Sequence, residues 1–141
     1  MINIYILDSA NVGKKALTIA LRYSAIRRQF GNPGEPEKKI LDYSTHQYRL
    51  IPLLATAYAM HFASIEVRRI YDELMGRLES MKPDDPDAKE IIDALKETHA
   101  TSAGLKAFCT WTTLNTIEQS RQACGGHGYS SYNGLVSLMK D

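Results

Sequence analysis

The chain has 141 residues, the size of one domain: enough to bury a core, but small for an enzyme that must enclose a large cofactor alone. Seventeen basic side chains stand against sixteen acidic ones, and the resulting +1 charge offers no field to gather nucleic acid or an anionic membrane. Hydrophobic residues at 44% and charged residues at 23% are ordinary for a globular protein, and the two cysteines, Cys109 and Cys124, have neither metal-ligand spacing nor a disulfide framework.

In chain order, the apolar patch Ile4–Leu7 lacks the basic flank and cleavage site of a signal peptide, and Ile2–Ile6 is the one stretch with any strand character. Asp8 or Ser9 is expected to cap a first helix. Val12, Ala16, Ile19, Ala20, Tyr23, Ile26 and Phe30 recur at helical spacing, and Leu17 and Leu21 add a second strip. The breaker cluster Gly31-Asn32-Pro33-Gly34 ends that helix. A second segment runs from about Ile40 to Leu78. Its apolar centre, Leu50 to Ala63, is too short to span a bilayer and reads as a buried helix, with a kink or break expected at Pro52.

Lys82-Pro83-Asp84-Asp85-Pro86 is a polar loop, and a third helix is expected from about Asp87 to Ala123. Its inner face is traced by Ile92, Leu95, His99, Ser102, Leu105, Cys109, Thr112 and Thr116, and Gly125-Gly126-His127-Gly128 ends it. Cys109 is assigned to the core and both thiols to a reducing, intracellular setting. His46, His61 and His99 lack partners at metal-ligand spacing and read as packed or capped residues. Glu118 is placed to pair with Arg121 or Lys106, and Thr110-Trp111-Thr112-Thr113 to pack between helices. The expected fold is all-α, an antiparallel bundle of three long helices in a single domain over residues 1–141. Apolar residues on two sides of each helix imply a missing neighbour, with Leu17, Leu21, Leu54, Tyr58 and Phe62 as candidates for the uncovered surface.

Two motifs resemble a known family. Tyr23-Ser-Ala-Ile-Arg-Arg-Gln-Phe-Gly31 is similar to the Arg-x-x-Phe-Gly helix end of acyl-CoA dehydrogenases and oxidases. Gln122-Ala-Cys-Gly-Gly-His-Gly-Tyr129 resembles their glycine motif, and its His-Gly-Tyr ending looks like the oxidases. Ile51–Tyr58 and His99–Ala107 also look like oxidase sequence, so the resemblance runs from about Asp8 to Leu135.

The resemblance implies the C-terminal helical domain of a peroxisomal-type acyl-CoA oxidase with its last helix missing, a fragment of a longer enzyme. In that family an FAD-dependent reaction turns fatty acyl-CoA into trans-2-enoyl-CoA, and O2 takes the electrons to give hydrogen peroxide in fatty-acid β-oxidation. By carry-over, Arg27 with Gln29 and Phe30, and Gln122 with Gly125 and Gly126, would contact the FAD of a neighbouring subunit. A guanidinium presents a fixed fork of donors to phosphate oxygens, and glycines let backbone approach a ligand. The same residues have plainer readings: Arg27 and Arg28 can complement a helix dipole, Gly125-Gly126 can cap a helix, and His127 can bond within a loop.

The family's catalytic glutamate follows the His-Gly-Tyr motif by some twenty residues, so it would lie beyond Asp141, and the chain alone is expected to be inactive with weak or no FAD binding. A homodimer is implied, with no nucleic-acid or membrane partner and no metal site. Peroxisomal residence is implied by resemblance only, because Leu138-Met139-Lys140-Asp141 is not a Ser-Lys-Leu-type address. Val136–Asp141 lacks the family's proline and aromatic, leaving open a truncated product, a misread frame or a divergent tail. An acyl-CoA dehydrogenase-like segment and a non-catalytic helical assembly module are the alternatives.

Overall fold

The computed structural model describes residues 2–82 and 85–139, with side chains from residue 6 onward. Pro83 and Asp84 of the expected loop, and Lys140 and Asp141 of the tail, lie outside the described residues. Three long helices form the bundle: α1 (Ile2–Ile26), α2 (Ser44–Glu79) and α3 (Ala88–Ala123). Short 3-10 turns at Ile40–Asp42, Gly125–Tyr129 and Ser131–Asn133 and a one-turn α4 (Leu135–Leu138) complete it. The only β-type pairing among the described residues is one antiparallel bridge between Arg28 and Lys39.

Side-chain contacts give the helix directions. Ser24 near the end of α1 meets His46 near the start of α2, and Lys14 meets His61, so α1 and α2 run antiparallel. Ser9 meets Thr113 and Tyr23 meets His127, so α1 and α3 run parallel, with α2 reversed between them. The α1–α3 seam is built from small residues. Gly13 faces Thr113 and Thr116, and the Thr113 hydroxyl donates to the Ser9 carbonyl at 2.9 Å. Buried Thr116 and Ser24 return their hydroxyl protons to carbonyls one turn back on their own helices, so the close approach leaves them satisfied. Ser120 Oγ is buried without a partner among the described residues.

The main core joins Ala16, Leu17 and Ala20 of α1 to Leu50 and Ala57 of α2, Ile117 of α3 and Leu135 of α4. Ile6, Ala10, Met60 and Cys109 form a second cluster farther along, which puts Cys109 in the core as expected.

Several expectations need correcting. The helix begins at Ile2, upstream of Asp8, so the strand character of Ile2–Ile6 is not realised. It ends at Ile26, four residues short of Phe30, and both Ile26 and Phe30 are exposed. α2 continues through Pro52 without a break; the proline gives up only its own N–H bond to the carbonyl one turn back. Leu50–Ala63 is not a buried helix. Leu50, Ala57 and Met60 face the core, while Ile51, Tyr58 and Phe62 face outward. By length and composition α2 is long and apolar enough to cross a membrane, and Arg68–Asp72 and Glu66–Arg69–Glu73 pairs occupy its second half.

On α3, Ser102, Cys109 and Thr116 are buried as expected, but Ile92 and His99 are exposed and Ile91, Thr113 and Ile117 take the inner positions. Trp111 is 73% exposed, so the Thr110–Thr113 patch is not interhelical packing as a whole; Thr113 alone fills that role fully. Leu17, one candidate for uncovered surface, is buried, whereas Tyr58 and Phe62 are exposed as anticipated.

Candidate functional site

Two irregular segments meet where α1 and α3 end. The α1 helix gives way at Arg27 to a short hairpin. Ile40 N–H donates to the Arg27 carbonyl, Gln29 N–H to the Lys38 carbonyl and Lys38 N–H to the Phe30 carbonyl, each at 2.9 Å. Phe30 sits at φ 62°, a left-handed conformation that an aromatic residue adopts at a cost, and the Tyr43 hydroxyl steadies the turn by donating to the Gln29 carbonyl at 3.0 Å. Opposite, α3 ends through Cys124 into Gly125 at φ 57°, the left-handed position after a helix that favours glycine. Gly128 passes directly under the Arg121 carbonyl, where a Cβ would have no room.

Between them lies a cleft of about 380 Å³. Five of the six residues named from sequence line it: Arg27, Gln29, Gln122, Gly125 and Gly126. Phe30 does not, and it is 69% exposed. Gly126 has neither a positive φ nor any atom within 4 Å of where a Cβ would stand, so nothing within the described residues explains a glycine there. A larger, mostly apolar cleft of about 540 Å³ lies between α1, α3 and α4, lined by residues such as Val12, Leu114 and Leu138. It contains neither motif.

The cleft's electrostatics suit an anion. No carboxylate lines it, and the Arg27 guanidinium has no side-chain partner among the described residues. Arg28 differs: its Nη1 donates to the Glu37 carbonyl at 2.9 Å, tying it into the hairpin. Glu118, one turn before Gln122, is held by Arg121 at 2.6 and 2.8 Å and accepts from Gln122 Nε2 at 2.8 Å. These hydrogen bonds, that of Arg121 first, bring its carboxyl down to about 2, and the expected Glu118–Arg121 pair is present. The engaged Gln122 amide leaves its side-chain carbonyl as an acceptor.

Tyr23, His46 and His127 also line the cleft, with Ile40, Ala123 and Cys124, and were not among the residues named from sequence. His46 Nε2 lies 2.7 Å from Ser24 Oγ, and Ser24 spends its only proton on the Ala20 carbonyl at 2.6 Å. His46 must therefore donate from Nε2, which fixes its tautomer. Burial, and then the charge of Arg49, lower its pKa. His127 Nδ1 lies 3.0 Å from the Tyr23 hydroxyl. A visible signal for Tyr23 existed, since it stands one helical turn before Arg27.

A protein-family model described as the acyl-CoA oxidase C-alpha1 domain matches residues 3–141. The chain belongs to the acyl-CoA oxidase family. The match extends past Leu135 to the last residue of the chain. Acyl-coenzyme A oxidase 3 of Yarrowia lipolytica is 56% identical over 139 residues, covering 96% of this chain and 20% of that protein. Peroxisomal acyl-coenzyme A oxidase 1 of Bos taurus is 48% identical over 132 residues, covering 93% of this chain and 19% of that protein. Among solved structures, acyl-CoA oxidase-1 of Caenorhabditis elegans, complexed with FAD and ATP, superposes with a TM-score of 0.85 at 37% identity, covering 98% of this chain and 20% of its own. The segment thus spans about a fifth of the acyl-CoA oxidases it matches, and its all-α fold is that of their helical region.

Proposed function

We propose that this segment builds part of the FAD site of a peroxisomal acyl-CoA oxidase, which desaturates fatty acyl-CoA to trans-2-enoyl-CoA and passes the electrons to O2. The observation that carries the reading is the convergence of the two motif segments on one cleft that holds an unpartnered arginine and no carboxylate. A dinucleotide pyrophosphate is anionic, so it meets a free guanidinium there and no like charge. Gly126, open in front, lets backbone approach the ligand, and Gln122 keeps an acceptor for an amino or hydroxyl group. FAD, when bound, supplies the flavin that accepts the substrate's electrons. The chain's own contribution is to bind and orient: Arg27 holds phosphate oxygens, and Gly125–Gly126 shapes the wall beside it. No carboxylate that could accept the substrate's α-proton lines the cleft, and the base is expected elsewhere in the enzyme.

The same reading includes a homodimer in which these helices meet. Tyr48, Ile51, Ala55, Tyr58, Phe62 and Ile65 recur in alternating steps of three and four along α2, and all six are exposed. They lie on a different face from the core stripe of Leu50, Ala57 and Ser64. That spacing is the seam of a helix packed against a second helix, and each buried Phe or Ile would contribute about 1.5–3 kcal/mol.

The test uses the complete oxidase carrying this segment. Arg27→Ala should weaken FAD retention roughly 10- to 150-fold, the loss of a charge-assisted hydrogen bond, while Arg28→Ala changes it little. Equal flavin content in the two variants would refute the assignment.

A further inference from the structure

The Tyr23 hydroxyl and His127 Nδ1 are 3.0 Å apart although 104 positions separate them, and their rings lie 5.4 Å apart with a tilt of 52°. Both line the cleft. Tyr23 is bound to the Arg27 turn, since its carbonyl accepts the Arg27 N–H at 2.8 Å, and His127 directly follows Gly125-Gly126. The other bonds of the His127 backbone are local: its carbonyl accepts from Asn133 Nδ2 at 2.7 Å and Ser130 N–H at 3.2 Å. Among the described residues, Tyr23–His127 is the side-chain hydrogen bond that joins the arginine turn to the glycine loop.

Resting on the cofactor reading above, we propose that the Tyr23–His127 pair is a positioning clamp, setting the separation between Arg27 and the Gly125–Gly126 backbone so that both engage one FAD. The geometry explains why both residue types are used. A tyrosine hydroxyl can donate to a bare Nδ1, leaving the imidazole proton on Nε2. If the ring gains a second proton, Nδ1–H donates to the hydroxyl oxygen instead, so the link survives in either state. Neither residue takes part in proton transfer to substrate; each acts through the spacing it imposes on others. A clamp of this kind also gives Gly128 its place, because the loop must return tightly beneath the Arg121 carbonyl for His127 to reach Tyr23.

The experiment is FAD titration of the apo form of the complete oxidase, read by flavin fluorescence, alongside the urea unfolding midpoint of each apo variant. Tyr23→Phe and His127→Ala should each weaken FAD binding about three- to tenfold, the range set by one neutral hydrogen bond. The double variant should bind no more weakly than the worse single one, since both remove the same interaction. His127→Asn places its Oδ1 the same number of bonds from Cα as Nδ1, so it can accept the Tyr23 proton and should recover affinity to within about twofold of the parent. The apo midpoints should move little, because this hydrogen bond is exposed to solvent. Additive losses, an Asn variant no better than Ala, or a fall in every apo midpoint would overturn the clamp. Arg27→Ala in the same titration separates the two ideas: if it binds FAD like the parent, the cofactor reading fails and the clamp with it. If Arg27→Ala loses FAD while the Tyr23 and His127 losses add, the clamp alone fails.

Discussion

Gly126 and Gly128 stand two residues apart and answer to opposite pressures. A Cβ at Gly128 would collide with the Arg121 carbonyl, and backbone cannot swing aside as a long side chain can. Gly128→Ala should therefore cost about 1–3 kcal/mol of stability. At Gly126 there is open space and an ordinary φ, so Gly126→Val should leave apo stability nearly unchanged and still weaken FAD binding in the complete enzyme. Urea unfolding with flavin titration on both variants separates the two roles; equal stability losses would remove the argument that Gly126 faces a ligand.

His46 offers a residue-scale pH test. Its folded pKa is below the ordinary 6.5, lowered by burial and then by Arg49, so as pH falls the unfolded chain takes up the proton first. Its contribution to stability is complete above about 6.5 and declines as pH drops through that value toward the lower folded pKa. The urea midpoint should fall between pH 7.5 and 5.5, and His46→Gln should flatten part of that fall. An unchanged slope in His46→Gln would show that other groups carry it.

Among the elements, α2 has the least certain role when read from sequence and the clearest when its two faces are seen. Both faces are apolar, so periodicity alone cannot say which one meets α1 and α3. This is why Leu50–Ala63 reads as buried; Leu17, on α1, reads as a candidate for exposure because that helix also carries a second apolar strip. The α1–α3 seam misleads in the other direction: its glycine, serines and threonines read as a polar face, yet Gly13 packs against Thr113 and Thr116 across it. The end of α1 was hidden for a different reason. The hairpin that replaces it is held by Lys38 and Ile40, whose role depends on pairing rather than on any local pattern. The existence of the three helices, Cys109 in the core and the Glu118–Arg121 pair were legible, because each follows from local spacing.

The two faces predict different behaviour in one scan. Leu50→Ala, at a fully buried position, should cost about 2–5 kcal/mol of folding stability. Phe62→Ala, 64% exposed, should cost far less in the folded unit and instead weaken self-association. Unfolding and sedimentation equilibrium on both variants check this. A Phe62→Ala variant that associates like the parent would take that side of α2 out of the interface.

For the whole molecule, the bundle works as a frame that brings the ends of α1 and α3 together. Because those helices run parallel, the Arg27 turn and the Gly125–Gly126 loop emerge at the same end, and a cleft forms from segments far apart in sequence. The motif residues were legible as a group, while their meeting depended on helix direction, and Tyr23 and His46 gained a role only through it. The most direct test of the central claim is a crystal structure of the complete oxidase with FAD bound. The Arg27 guanidinium is expected within hydrogen-bond distance of a pyrophosphate oxygen, with the cofactor passing over Gly126. Phosphates held elsewhere, with this cleft filled by protein, would contradict it.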